Sequence, residues 1–324
     1  MDFLSLPIGN TPTIEIKYSF NGKEKIFYSK LESHNLTGSI KDRTAYYILN
    51  KAIKEKKLQP GQPIVEASSG NFGLSLASIG KILNHDVHIF MPEFATKERK
   101  ELLELYGATL HLNNDEHNAF NVAIENAHKF ALENNGFETS QFINKDNVDA
   151  HYFSTGLEIV NEIGNSIGGF IAGIGSGGTF MGIAKRLKKF NKNIKTCCIE
   201  PSNMPIISGG KLTGHSKISG IADDFLPSIV DKSYIEDVFS VEDNDAINMS
   251  RKLSKELGLG VGISSGAYAI GAILLNEKIS KPSVTIFADD NKKYLSTELA
   301  DGNIFYNNPN FISNKVKFIS VRAI

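Results

Sequence analysis

GGFIAGIGSGGTFMGIAKRLKKFNKNIKTCCIE, residues 168–200, decides how this chain folds. A short apolar run reads as a strand, glycines follow, a helical pattern begins at Gly178, and IKTCCIE reads as a second strand. The same alternation holds to either side. PIVEA (63–67) and HDVHIFM (85–91) read as strands, SSGN opens a helix through LSLASIGKIL, and TKERKELLELYG is a charged helix. ATLHL (108–112) is a further strand, with helices expected near 117–134, 147–163, 244–257 and 265–277, and a late strand over SVTIFA (283–288). Strands alternating with helices of this length imply parallel sheets covered on both faces, an α/β fold.

The glycine loop can be read two ways. Gly173 to Gly178 satisfies G-x-G-x-x-G, and Glu200 ends the next strand 22 residues on, where a dinucleotide fold places its ribose-binding acid. Successive backbone N–H groups at a helix N-terminus, backed by the helix dipole, bind any phosphate, so the loop reports a phosphate without naming its owner. No lysine directly follows the glycines, which excludes an ATP-type phosphate loop.

At 324 residues the chain is long enough for two domains, and its 35 basic against 36 acidic side chains give no excess that would favour nucleic acid or an anionic membrane. The two cysteines, Cys197 and Cys198, are adjacent in an apolar strand, so they read as core and build neither a disulfide framework nor a thiolate metal site. The eight histidines show no metal-ligand spacing. The opening MDFLSLPIGN lacks a basic, apolar leader pattern, and no apolar run approaches the ~18 residues of a membrane span. A reducing, cytoplasmic setting is expected. IEIKYSF and KIFYSK flank Asn21-Gly22, a hairpin signal. The region 201–234 carries few periodic signals and reads as a long loop, and the tail after residue 306 has no clear reading.

Lys41 opens a helix expected over 41–56, with Ser39 and Asp42 at capping-box spacing. A lone lysine is usually a solvated charge. Read together with IGNTP (8–12), EASSGNFGLSLA (66–77), QFINKDNVDAHYFSTGLEI (141–159), GIGSGGTFMG (173–182), GISSGA (262–267) and FADDNKKYLST (287–297), the chain resembles the cysteine synthase family. These are fold-type II pyridoxal-phosphate enzymes that include O-acetylserine sulfhydrylases and the core of cystathionine β-synthases. The resemblance implies two domains, each with a mostly parallel sheet covered by helices: a large cofactor-binding domain of 1–41 and 145–324, and a small mobile domain of 42–144 that closes over substrate. It also implies a homodimer.

Carried residue by residue, the resemblance implies that Lys41 holds pyridoxal 5'-phosphate as a Schiff base and that Asn71 bonds its 3′ oxygen. Gly175, Ser176, Gly177, Gly178 and Thr179 take its phosphate, which leaves Glu200 an ordinary strand-end residue. Ser68, Ser69, Phe72 and Gln141 stand where the family holds the substrate α-carboxylate. These residue types suit the chemistry: the cofactor acidifies an amino acid's α-proton, and a lysine serves as covalent anchor and then as base once neutral. The expected reaction is β-replacement on an activated serine, with O-acetylserine and sulfide giving L-cysteine. The alternative is β-replacement on cysteine that releases sulfide and forms serine or a thioether.

Three departures bear on that choice. Phe72 replaces the usual threonine, removing one hydroxyl from the carboxylate site. GIADDFLP (220–227) replaces a glycine-rich segment, and Asp224, with Asp223 beside it, resembles the aspartate of cystathionine β-synthases, where a carboxylate can activate water or orient a nucleophile. Asp290, or Asp289 next to it, stands where the family is expected to place a serine against the pyridine nitrogen. Gly262 to Gly266 also has the letters G-x-S-x-G, but no ordered Asp and His series completes a hydrolase triad.

Overall fold

The computed structural model describes residues 6–68, 70–93, 95–114, 119–221, 225–301 and 307–324. The chain opens with the expected hairpin, β1 (Thr13–Phe20) and β2 (Lys23–Leu31). Asn21 and Gly22 both take positive φ, 50° and 73°, which matches the twist of the flanking strands in a two-residue turn. Then follow α1 (Lys41–Lys54), β3 (Ile64–Ala67), α2 (Asn71–Ile82), β4 (Val87–Pro92), α3 (Lys97–Leu105), β5 (Thr109–Asn113), α4 (Ala119–Glu133) and β6 (Phe137–Glu138). The second series runs α5 (Asp146–Phe153), α6 (Thr155–Ile163), β7 (Gly169–Gly173), α7 (Gly178–Phe190), β8 (Lys195–Pro201), β9 (Asp237–Val241), α8 (Asp243–Leu257), α9 (Ile263–Asn276), β10 (Ser283–Phe287), α10 (Ile312–Lys315) and β11 (Lys317–Ala323).

Two sheets result. Strands β5-β4-β3-β6 form a four-stranded parallel sheet, and β11-β1-β2-β10-β7-β8-β9 form a seven-stranded one. In the larger sheet only β1 runs antiparallel to its neighbours, and β2, β10, β7, β8 and β9 are parallel. Strands such as β3, β7 and β10 are buried along their whole length, as a sheet covered on both faces requires. Each sheet anchors its own apolar core: Phe170, Ile171, Phe180, Ile199, Ile270 and Ile286 in the larger unit, Ile48, Leu49, Leu76, Ile89 and Leu103 in the smaller.

Three details depart from the sequence pattern. The helix expected over 147–163 is two helices, because Ser154 leaves helical geometry (φ −117°, ψ −86°) and its hydroxyl donates to the Ala150 carbonyl. The tail supplies β11, which pairs along β1 from Ile14 opposite Ala323 to Ser19 opposite Lys317 and so covers that edge. The capping of α1 also differs: Asp42 reaches the amide and hydroxyl of Thr37, while Ser39 Oγ accepts from the Lys41 amide. No described helix is long and apolar enough to cross a membrane.

Candidate active site

One cavity lies beyond the carboxyl ends of β3, β7 and β10, where open α/β sheets bind ligands. It gathers Lys41, Ser68, Asn71, Phe72, Gln141, Gly175, Ser176, Gly177 and Thr179, nine residues singled out by the sequence and drawn from both sheet units. Gly178 is the first residue of α7, next to Gly177. Ser69, Asp223 and Asp224 lie outside the described residues.

Lys41 is the first residue of α1, and its backbone is fixed on both sides. The Ile40 amide donates to the Ala288 carbonyl at 2.9 Å, and Asp42 is buried against Thr37. Asn71 opens α2. Its Nδ2 donates to Asp289 Oδ2 at 2.7 Å, and its Oδ1 is buried without a partner. Ser68 Oγ accepts from the amides of Gly73 (3.0 Å) and Gly70 (3.4 Å), which ties down the turn and leaves the hydroxyl proton for a ligand.

The glycine loop leads into α7, with Gly177 at φ +89°. A Cβ on Gly175 would overlap the Gly220 carbonyl, and one on Gly178 would overlap the Asn147 carboxamide, so the loop is built to keep its amides bare. With the α7 N-terminus behind it supplying amide donors and the unpaired Asn71 Oδ1 across the cavity as an acceptor, the polar groups fit a phosphorylated pyridine aldehyde held by Lys41. Glu200 takes no part. It is buried and accepts from the amides of Ile207 and Ser208 and from the Ser208 hydroxyl, anchoring the long loop after β8.

Two supporting residues were missed in the sequence. Asn147 and His151, one turn apart on α5, back the glycine loop. Asn147 Nδ2 donates to Ser176 Oγ (3.0 Å) and to the Gln141 carbonyl (2.9 Å). His151 Nε2 lies 3.2 Å from Thr179 Oγ1 and 3.0 Å from Thr44 Oγ1, with Nδ1 against Thr155 Oγ1. Burial first, and the charge of Lys41 next, push the imidazole well below its usual pKa, so it stays neutral at this cationic end of the site. Their i, i+4 spacing in DNVDAH was the available signal.

Asp290 requires a correction. It does not line the cavity; its side chain turns back to cap the short helical turn Asn291–Tyr294, accepting from the Lys292 amide at 3.1 Å. Asp289 is buried behind Asn71 and accepts from its Nδ2 and from the Tyr294 hydroxyl, each at 2.7 Å. Among the hydroxyl side chains that do line the cavity is Ser264, in the first turn of α9 and inside the GISSG segment.

Glu66 lies beneath the substrate wall, fully buried on β3. It accepts from the Thr139 hydroxyl and from the Gln141 (3.2 Å) and Ala67 (3.0 Å) amides. Burial dominates and pushes its carboxyl up from 4.5 to about 8. The folded state therefore binds this proton more tightly than the unfolded chain, so the group's contribution to stability falls as pH rises across that window. Unfolding free energy should drop by a few kcal/mol between about pH 5 and about pH 9. Glu66→Gln should flatten this dependence in denaturant melts, and an unchanged slope would show that Glu66 is ionised throughout.

The chain matches the family described as "Pyridoxal-phosphate dependent enzyme" over residues 4–289. It is 36% identical to a cysteine synthase of Staphylococcus aureus over 302 residues, covering 92% of this chain and 97% of the relative. Cysteine synthase B of Campylobacter jejuni is 39% identical over 295 residues, covering 90% and 96%. Among solved structures, a hydrogen sulfide-producing enzyme from Fusobacterium nucleatum superposes with a TM-score of 0.93 at 44% identity, covering 98% of this chain and 97% of that one.

Proposed function

The chain belongs to the pyridoxal-phosphate-dependent enzyme family, and from that premise we propose that it carries out β-replacement on L-cysteine, releasing sulfide and placing water or a thiol at the β-carbon. The observation that carries the reading is the meeting of Lys41, Asn71 and the glycine loop on one cavity whose described lining residues include no carboxylate. Such a site suits a phosphorylated cofactor and an amino acid presenting its carboxylate.

Lys41 would hold the cofactor, Asn71 its 3′ oxygen, the loop from Gly175 to Thr179 its phosphate, and Ser264 Oγ its ring nitrogen. When bound, the cofactor supplies an electron sink that makes the substrate's α-proton acidic and its β-substituent able to leave. Lys41 Nζ moves the α-proton, taking it from Cα and returning it after the nucleophile adds. Ser68, the α2 amides and Gln141 orient the substrate carboxylate, with Phe72 giving that wall an apolar surface. Residues 42–144, which carry the four-stranded sheet, act as the domain that closes and excludes water.

The choice of cysteine rests on two supports. Identity to the sulfide-producing enzyme is 44%, above that to either cysteine synthase, and in sequence Asp224 resembles the aspartate of cystathionine β-synthases, a carboxylate able to orient water. A second reading, O-acetylserine plus sulfide giving L-cysteine, is favoured by the cysteine synthases, which align over nine-tenths of the chain. The test is the visible spectrum of the purified protein, loaded with pyridoxal phosphate, upon adding each amino acid, together with a sulfide assay. Sulfide released from cysteine is expected. Sulfide consumed only in the presence of O-acetylserine would move the assignment to synthesis, and no visible band would overturn both.

A further inference from the structure

Arg99 is a buried cation that no described carboxylate touches directly; it reaches buried Asp289 only through the Tyr294 hydroxyl. It stands in the first turn of α3, is 5% exposed, and lines the cavity. Its guanidinium crosses Gly70, in the turn that opens α2, and reaches the opposite wall. There Nη1 donates to Ser219 Oγ at 2.7 Å and Nη2 to the Tyr294 hydroxyl at 3.2 Å. The Tyr294 ring lies 5.2 Å from Cζ. No described carboxylate forms an ion pair with it, and its Nε is buried with no hydrogen-bond partner. The passage depends on Gly70, since a Cβ there would lie 2.9 Å from Nε and 3.1 Å from Cδ and Cζ.

A guanidinium held out of water, with its carboxylate reached only across an intervening hydroxyl, is under-compensated, and an arriving anion can offset that cost. The cavity wall offers two cationic side chains, Lys41 and Arg99, and the first belongs to the cofactor in the proposed function. The phosphate end is already served by the backbone amides of the glycine loop at the α7 N-terminus. The carboxylate end has Phe72 where a hydroxyl would otherwise contribute.

We propose that Arg99 is a specificity residue whose guanidinium reads the α-carboxylate of the incoming amino acid, with Gly70 left bare to let it pass. The proposal rests on the function proposed above. A charge-assisted hydrogen bond of this kind corresponds to about 10- to 100-fold in affinity.

The test titrates the pyridoxal-phosphate-loaded enzyme with L-cysteine and with L-cysteine carboxamide, reading the visible band shift. The unsubstituted enzyme should prefer the carboxylate. Arg99→Gln should weaken cysteine by about 10- to 100-fold and leave the carboxamide nearly unchanged, while Arg99→Lys recovers part of the preference. Gly70→Ala, which keeps the arginine but blocks its path, should also erode the preference. Equal weakening of both ligands in Arg99→Gln would overturn the proposal and make Arg99 a brace between the walls. No band shift with either ligand in the unsubstituted enzyme would instead bring down the functional reading, and this proposal with it.

Discussion

Replacing Lys41 by alanine is expected to remove the visible absorbance of the pyridoxal-phosphate-loaded protein and to lower turnover by at least about 10²- to 10⁴-fold, the range for loss of a positioned proton-transfer group. The site should otherwise survive. The turn before α1 is held by the Ile40 amide on Ala288, by Asp42 on Thr37 and by the Ser39 hydroxyl on the residue 41 amide, none of which needs the lysine side chain. The phosphate loop and its braces from Asn147 and His151 are likewise independent of it. Lys41→Arg should fail as completely, because a guanidinium stays protonated and cannot act as nucleophile or base near neutral pH. The two variants separate chemistry from folding: absorbance and turnover should be lost while the thermal unfolding midpoint of the cofactor-free protein changes little. A variant lacking Lys41 that kept the full visible band would overturn the assignment.

Much of this site was legible because its parts are local in sequence. The glycines of 173–178, the helix that follows them and the SSGN turn each announce their geometry within a few residues, since bare amides at a helix start require small residues there. What the sequence obscured was assembled at long range. The β1–β11 pairing joins residues some 300 apart, and nothing in the tail's composition marks its partner. Glu66 lies in the motif itself, yet only the fold reveals that it props the Gln141 amide from beneath. The GISSG segment has the letters of a hydrolase elbow, and only the fold shows that its Ser264 lines the cavity while Asp290, after β10, caps a helical turn. Counting along a motif fixes a residue's place in the chain, but one step along an extended backbone reverses the side chain's face.

Arg43, two residues after Lys41, carries the second large effect. Its guanidinium is almost wholly buried between two carboxylates. Nε and Nη2 donate to Glu32 at 2.7 and 2.9 Å, and Nη1 and Nη2 donate to Glu158 at 2.6 and 2.8 Å. Lys30 adds a second cation against Glu158 at 2.9 Å. Thr11 and Asn35 each donate a further hydrogen bond to the same two oxygens of Glu32. Removing one member of such a pair leaves the others charged and dry, so Arg43→Met should cost about 3–5 kcal/mol in urea melts. Adding Glu32→Gln should return part of that loss, because the stranded buried charge goes with it. Acid offers an independent readout. Burial opposes ionisation of Glu158, but Arg43 and Lys30 overcome it and hold the carboxyl down at about 2, below its ordinary 4.5. Its contribution is therefore fully present above the ordinary value and is lost as pH falls through about 2. Without Arg43 that window narrows, and the variant should unfold at higher pH than the parent. Because the same guanidinium fixes the first turn of α1, the variant should also hold pyridoxal phosphate less tightly. A loss under about 1 kcal/mol with an unmoved acid midpoint would place Arg43 among solvent-screened pairs and contradict its burial.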